Sequence, residues 1–132
     1  MHRLFNLAAV VVTLAIPGAA LATTGTGTGT GLAVTVSLSP DTAANGDTVT
    51  ATEAFTNTSA TKQNVVVNNV LTDPTGATAT RTTRVVLKPG ETSSQTATYA
   101  VDPADLRGAY TLAATATDKT GTATAAARVT YI

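Results

Sequence analysis

At 132 residues, 43% of them apolar, the chain is long enough for one hydrophobic core and too short for two domains of ordinary size. Eight acidic residues balance eight basic ones, so no strong field draws in nucleic acid or an acidic membrane surface. There is no cysteine or tryptophan, and the only histidine is His2, which excludes disulfide staples and leaves little for nucleophilic or zinc chemistry.

Residues 1–22 read as an export signal: Arg3 supplies a basic start, residues 7–16 an apolar stretch, and Pro17-Gly18 a break before the small residues Ala20-Leu21-Ala22. The apolar stretch falls well short of the ~20 residues a membrane-spanning helix needs, so cleavage after Ala22 is expected. Removing 22 of the 132 residues leaves 110, takes away Arg3 and His2, and brings the formal charge from zero to minus one. Without a cysteine to carry acyl chains, the product is expected to be released, either secreted or periplasmic.

Residues 23–31, TTGTGTGTG, offer no large side chain to bury, and from Gly25 on every second residue is glycine. Ordering such a segment costs entropy without an evident return, so a flexible leader is expected. An extended arm that pairs with a neighbour's sheet edge is the alternative.

From Leu32 the hydrophobic pattern changes to period two, with turn residues about every ten positions. A first strand at 32–39 stops at Ser39-Pro40-Asp41, and Asn45-Gly46-Asp47 turns into a second with Val49, Ala51 and Phe55 on one face. The third, at 63–72, contains Val65-Val66-Val67 and Val70-Leu71, as in a strand that is covered on both faces or bulged. A fourth spans 77–87 up to Lys88-Pro89-Gly90, and a fifth spans 92–101 up to Asp102-Pro103, where proline ends the ladder for want of a donor. The sixth starts near Ala109 with Tyr110, Leu112, Ala114 and Ala116 alternating; the seventh, at 122–132, turns Ala125, Ala127, Val129 and Tyr131 inward. Seven strands in about a hundred residues predict an all-β, two-sheet immunoglobulin-like sandwich at 32–132.

Several phrases point the same way. NGDTVTATEAFTNTS at 45–59, LTDPTG at 71–76, LKPGET at 87–92 and GAYTLAATATD at 108–118 together resemble bacterial extracellular immunoglobulin-like modules, fibronectin type III-like in form, among them the CARDB-like and alpha-galactosidase-associated groups. The resemblance covers nearly the whole segment after the signal and implies a spacer, an adhesion unit or an appendage beside a catalytic domain. It also implies a structural role for Tyr110, as a tyrosine corner whose hydroxyl bonds back to backbone upstream.

The chemistry-bearing side chains are few. If strands alternate up and down, the turns at 40–47, 73–77 and 102–108 share one pole, gathering Asp41, Asp47, Asp73, Asp102 and Asp105 against Arg107 alone. Such carboxylates are the hard oxygen ligands of a calcium site. The competing expectation is that aspartate simply suits turns. The other pole holds Lys62, Lys88 and Lys119 against Glu91 and Asp118, a polarity that permits head-to-tail self-association.

Asp102 and Asp105 share a loop and could in principle act as acid and base, but a domain this small seldom builds the cleft that a glycosidase needs. Glu53 shares a face with Val49, Ala51 and Phe55, beside a strand interrupted by Asn68-Asn69. A bulge or edge position is expected for it, with a small polar pocket as the alternative. Asn57-Thr58-Ser59 matches a glycosylation sequon, a short match that counts for little behind a bacterial-looking signal.

The expected protein is thus a non-enzymatic secreted module of structural, adhesive or interaction role, without a cofactor beyond the calcium alternative. Its partner would be another extracellular protein or a cell-surface polymer. A carbohydrate-binding module and a strand-exchanging fibre subunit are the alternatives.

Overall fold

The structure, a computed structural model, describes residues 23–29 and 31–132, so the expected signal at 1–22 lies outside the described residues. Among the described residues nine strands follow in chain order: β1 (Thr23–Gly29), β2 (Leu32–Ser39), β3 (Thr42–Ala43), β4 (Thr48–Asn57), β5 (Gln63–Thr72), β6 (Thr78–Leu87), β7 (Thr92–Ala100), β8 (Gly108–Asp118) and β9 (Gly121–Tyr131). They form two sheets of order β1-β2-β4-β7 and β3-β9-β8-β5-β6, packed face to face as a sandwich. Every pairing is antiparallel except the two-residue contact of β3 with β9.

Period-two patterning places the core. Leu32, Val34, Val36 and Leu38 of β2, with Val49 and Phe55 of β4, face Val65, Val67 and Leu71 of β5 and Leu112 of β8, all buried. The inner faces of β8 and β9 are lined largely by alanine: Ala114, Ala116, Ala123, Ala125 and Ala127. Small side chains there leave room for the larger ones of β2.

Seven of the nine strands are those the alternation predicts. The other two are β1 and β3. The chain crosses between sheets at Ser39-Pro40, and β3 is the short stretch beyond, held where Thr130 N donates to Asp41 O at 2.9 Å and Ile132 N donates to Ala43 O at 2.9 Å. Two residues are too few to show a period.

The segment expected to be a flexible leader is the strand β1, paired with β2 from Thr23↔Leu38 to Gly29↔Leu32. Alternation puts its glycines on one face, and that face lies against the free edge of β9. A Cβ on Gly25 would stand 1.7 Å from Ala126 O, and one on Gly27 1.6 Å from Thr124 O. Only glycine permits such an approach, so the repeat that looks like a spacer is a steric fit. β1 thereby extends one sheet and covers an edge of the other, an edge that β3 reaches only at Thr130 and Tyr131.

Two further expectations are corrected. β5 carries no bulge and is not covered on both faces: Gln63, Val65, Val67, Asn69 and Leu71 turn inward, while Asn64 and Asn68 are exposed. Its outward Val66 and Val70 are half-buried because β6 and β8 flank the strand on either side. Glu53 sits neither at a bulge nor on an edge. It lies mid-strand in β4, in unbroken register with Val36 of β2 and Gln95 of β7.

Candidate functional site

The three acidic turns do meet at one pole. Gly46 N donates to Val101 O at 2.9 Å and Val101 N to Asp47 O at 2.8 Å, while Gly108 backs onto the Pro74 side chain. The carboxylates themselves, however, are used locally. Asp47 Oδ2 accepts from Ala44 N at 2.7 Å. Asp73 Oδ1 accepts from the Thr75 hydroxyl at 2.6 Å and from the backbone N–H groups of Thr75 and Ala77 at 2.9 and 3.1 Å. Asp102 Oδ1 accepts from Ala104 N at 2.9 Å, and Asp105 Oδ2 accepts from Asp102 N at 2.8 Å and from the Tyr99 hydroxyl.

Asp41 joins through its carbonyl alone, which receives Thr130 N. Among the described residues no three of His, Cys, Asp and Glu stand where they could share a metal ion, so the calcium cluster expected of Asp41, Asp47, Asp73, Asp102 and Asp105 is not assembled. Part of the reason is that Asp47, Asp73, Asp102 and Asp105 each turn one carboxylate oxygen to the N–H groups of their own loop. Chiefly through the Thr75 hydroxyl, these bonds hold the Asp73 carboxyl below the usual carboxylate range.

Above this pole the three tyrosines form a buried stack. Tyr110 and Tyr131 lie 4.5 Å apart between ring centroids at 40°, and Tyr99 and Tyr131 lie 6.5 Å apart at 14°. The Tyr110 hydroxyl donates to Leu106 O at 3.0 Å, tying the 102–107 loop to β8. Burial first, then the charges of Asp105 and Asp73, pushes this phenol above its ordinary range. Tyr110→Phe is expected to cost about 1–2 kcal/mol, since it strands the Leu106 carbonyl while leaving the ring packing intact. Denaturant unfolding of the variant checks this, and an unchanged midpoint would show that the bond contributes nothing.

The opposite pole is organised by a residue that sequence reasoning missed as a structural centre. Asn57 is 0% exposed. Its Nδ2 donates to Thr61 O at 2.7 Å and Leu87 O at 3.0 Å, and its Oδ1 accepts from Ser59 N at 2.9 Å and Ser59 Oγ at 2.6 Å. With both amide hydrogens committed inside the fold, the sequon at Asn57 presents no nitrogen to a glycosyl donor. The readable signal was the Asn-Thr-Ser turn itself. At this pole Glu91 Oε1 caps Lys88 N at 2.9 Å, and Asp118 Oδ1 accepts from Thr120 N and its hydroxyl at 2.7 and 2.6 Å.

Between the poles the two outer faces differ. On the β2-β4-β7 face every outward position is Thr, Ser or Ala, from Ala33 and Thr35 to Thr96 and Thr98. Hydroxyls bond across strands there, with Thr56 to Thr92 at 2.7 Å and Thr52 to Thr96 at 3.4 Å. The outer face of the other sheet carries similar pairs, Thr115 with Thr124 and Thr117 with Thr122 at 3.2 Å each, but also Arg84 and Arg128. The first face is thus free of charge and of large side chains, and two pairs of its hydroxyls engage one another.

No family model matches the chain, and no curated protein matches it. Several solved structures are similar in fold. A β-glucosidase from Listeria innocua matches over 76% of this chain and 16% of its own, at 15% identity and a TM-score of 0.54. The alkylpurine DNA glycosylase AlkC of Pseudomonas fluorescens, bound to DNA containing an abasic site analog, matches over 71% and 28%, at 13% identity and 0.51. The sporulation control protein Spo0M of Bacillus subtilis matches over 76% and 49%, at 12% identity and 0.50. The chain spans less than half of each of these proteins, and at such identities the likeness shows the fold alone.

Proposed function

We propose that the chain is a non-enzymatic, exported immunoglobulin-like module that acts by surface contact, in a structural, adhesive or protein-interaction role. Its strand order supports the subtype, with three strands of one sheet (β2, β4, β7) opposed to β9, β8, β5 and β6 of the other, as in fibronectin type III-like sandwiches. The observation that carries the functional reading is the β2-β4-β7 outer face: broad, neutral and hydroxylated, without a cleft-forming side chain. The carboxylates offer little for turnover, because Asp47, Asp73, Asp102 and Asp105 are bound into turns and Glu53 is enclosed between the sheets.

A neutral face of small side chains suits a neutral, extended partner better than a charged one, since it sets no unpaired charge against the contact. The partner in this reading is a cell-surface polymer or an extracellular protein. The strand-exchange alternative gains no support, because β1 is seated on its own domain.

Co-sedimentation with isolated cell envelopes and with insoluble polysaccharides tests the reading. The wild-type protein is expected to pellet with at least one of them, and a Thr52→Glu, Thr96→Glu double variant to lose at least tenfold in retention while melting as a folded domain. Equal retention by the variant would move the contact away from this face, and no retention of the wild type would count against an adhesive role.

A further inference from the structure

The inner faces of the two sheets are mostly apolar, and midway along the strands Glu53 of β4 meets Asn69 of β5. Both are buried, at 8% and 4% exposure, and Asn69 Nδ2 donates to Glu53 Oε1 at 3.1 Å across the gap between the sheets. The other oxygen of each group, Glu53 Oε2 and Asn69 Oδ1, is enclosed by protein with no hydrogen-bond partner. Two acceptors cannot satisfy each other, and stranding both in the interior is costly. One hydrogen between them satisfies both.

We propose that Glu53 is carried as the neutral carboxylic acid, its Oε2–H donating to Asn69 Oδ1, so that acid and amide form a two-point pair joining the sheets. Glu53 is thereby a buried proton-binding site. Its neighbours fit this state: β2 presents Val36 and β7 Gln95 in register with Glu53, and β8 presents Ala114 in register with Asn69. The charged group that bears on it is Arg81 of β6, in register with Asn69, which favours the ionised form. Burial outweighs both Arg81 and the Asn69 hydrogen bond, and pushes the carboxyl from 4.5 up to about 7. A water molecule or a small cation held between the two oxygens is the competing arrangement, and it would leave Glu53 ionised.

The two arrangements predict different responses to pH. With its folded value raised above its unfolded one, a protonated Glu53 stabilises fully below about pH 4.5 and loses that contribution as pH rises through about 7. The unfolding equilibrium constant, from denaturant titrations, is therefore expected to rise by about tenfold per pH unit between roughly pH 5 and 7, because folding there takes up one proton. Glu53→Gln offers an amide N–H to Asn69 Oδ1 in place of the acid, and its unfolding constant is expected to stay level across that window. A level wild-type profile, or a variant as steep as wild type, overturns the proposal. Should the variant not fold, the carboxyl carbon resonance of Glu53 in the wild-type protein decides: a midpoint near 7 supports the proton site, and one at ordinary glutamate values overturns it.

Discussion

Replacing Gly27 with valine is expected to release β1 from the domain. The new Cβ would stand 1.6 Å from Thr124 O and 2.5 Å from its carbon, and both atoms belong to backbone. β9 cannot yield, because β8 holds it in register from Gly108↔Tyr131 to Asp118↔Gly121. The strand without the ladder behind it is β1, which gives way. Its departure uncovers one flank of Val34 and Val36 and returns the β9 carbonyls to water, at a cost of roughly 2–4 kcal/mol. Thr28→Val is the matching control, since Thr28 is exposed on the opposite face in register with Ala33. A β-branched swap there should shift stability by no more than about 0.5 kcal/mol. Denaturant midpoints of the two variants separate the cases, because a leader without structure would be indifferent to both.

Asn57→Ala is expected to be about as damaging at the other pole. It removes four side-chain hydrogen bonds at once and leaves the buried Leu87 carbonyl without that donor, while the 57–61 turn loses the acceptor that shapes it. At about 1 kcal/mol or more for each buried group stranded, a loss of about 3 kcal/mol follows. In a domain of about a hundred residues that lowers Tm by roughly 12–24 °C. Asn57→Asp should not rescue it at neutral pH, because a carboxylate would face the Thr61 and Leu87 carbonyls with no proton to offer. Calorimetry of the two variants tests this, and a loss below about 1 kcal/mol for the alanine would show that water replaces the amide without strain.

Alternation alone carried much of the fold. β2 and β5 begin and end where period two and the turn residues place them, because burying one face of a strand imposes that period directly on the sequence. β1 was illegible for the converse reason. Its glycines answer to the carbonyls of β9, about a hundred residues further on, and nothing local distinguishes that demand from the composition of a linker. The acidic pole was half legible. Turn residues placed the loops at one end, but whether five carboxylates converge depends on which lone pairs the turns themselves consume. Glu53 and Asn69 stood out as polar residues on apolar faces, whereas their mutual contact required the facing of β4 on β5, which no period encodes.

Residues 23–29, seated against β9, complete the sheet of β1, β2, β4 and β7. Native-state amide hydrogen exchange over that segment tests this most directly. Protection of residues 23–29 well above that of an unstructured peptide, lost in Gly27→Val together with part of the protection along β9, is the predicted result. Exchange of residues 23–29 at the free-peptide rate in the wild-type protein, with β9 equally protected in both, would contradict it.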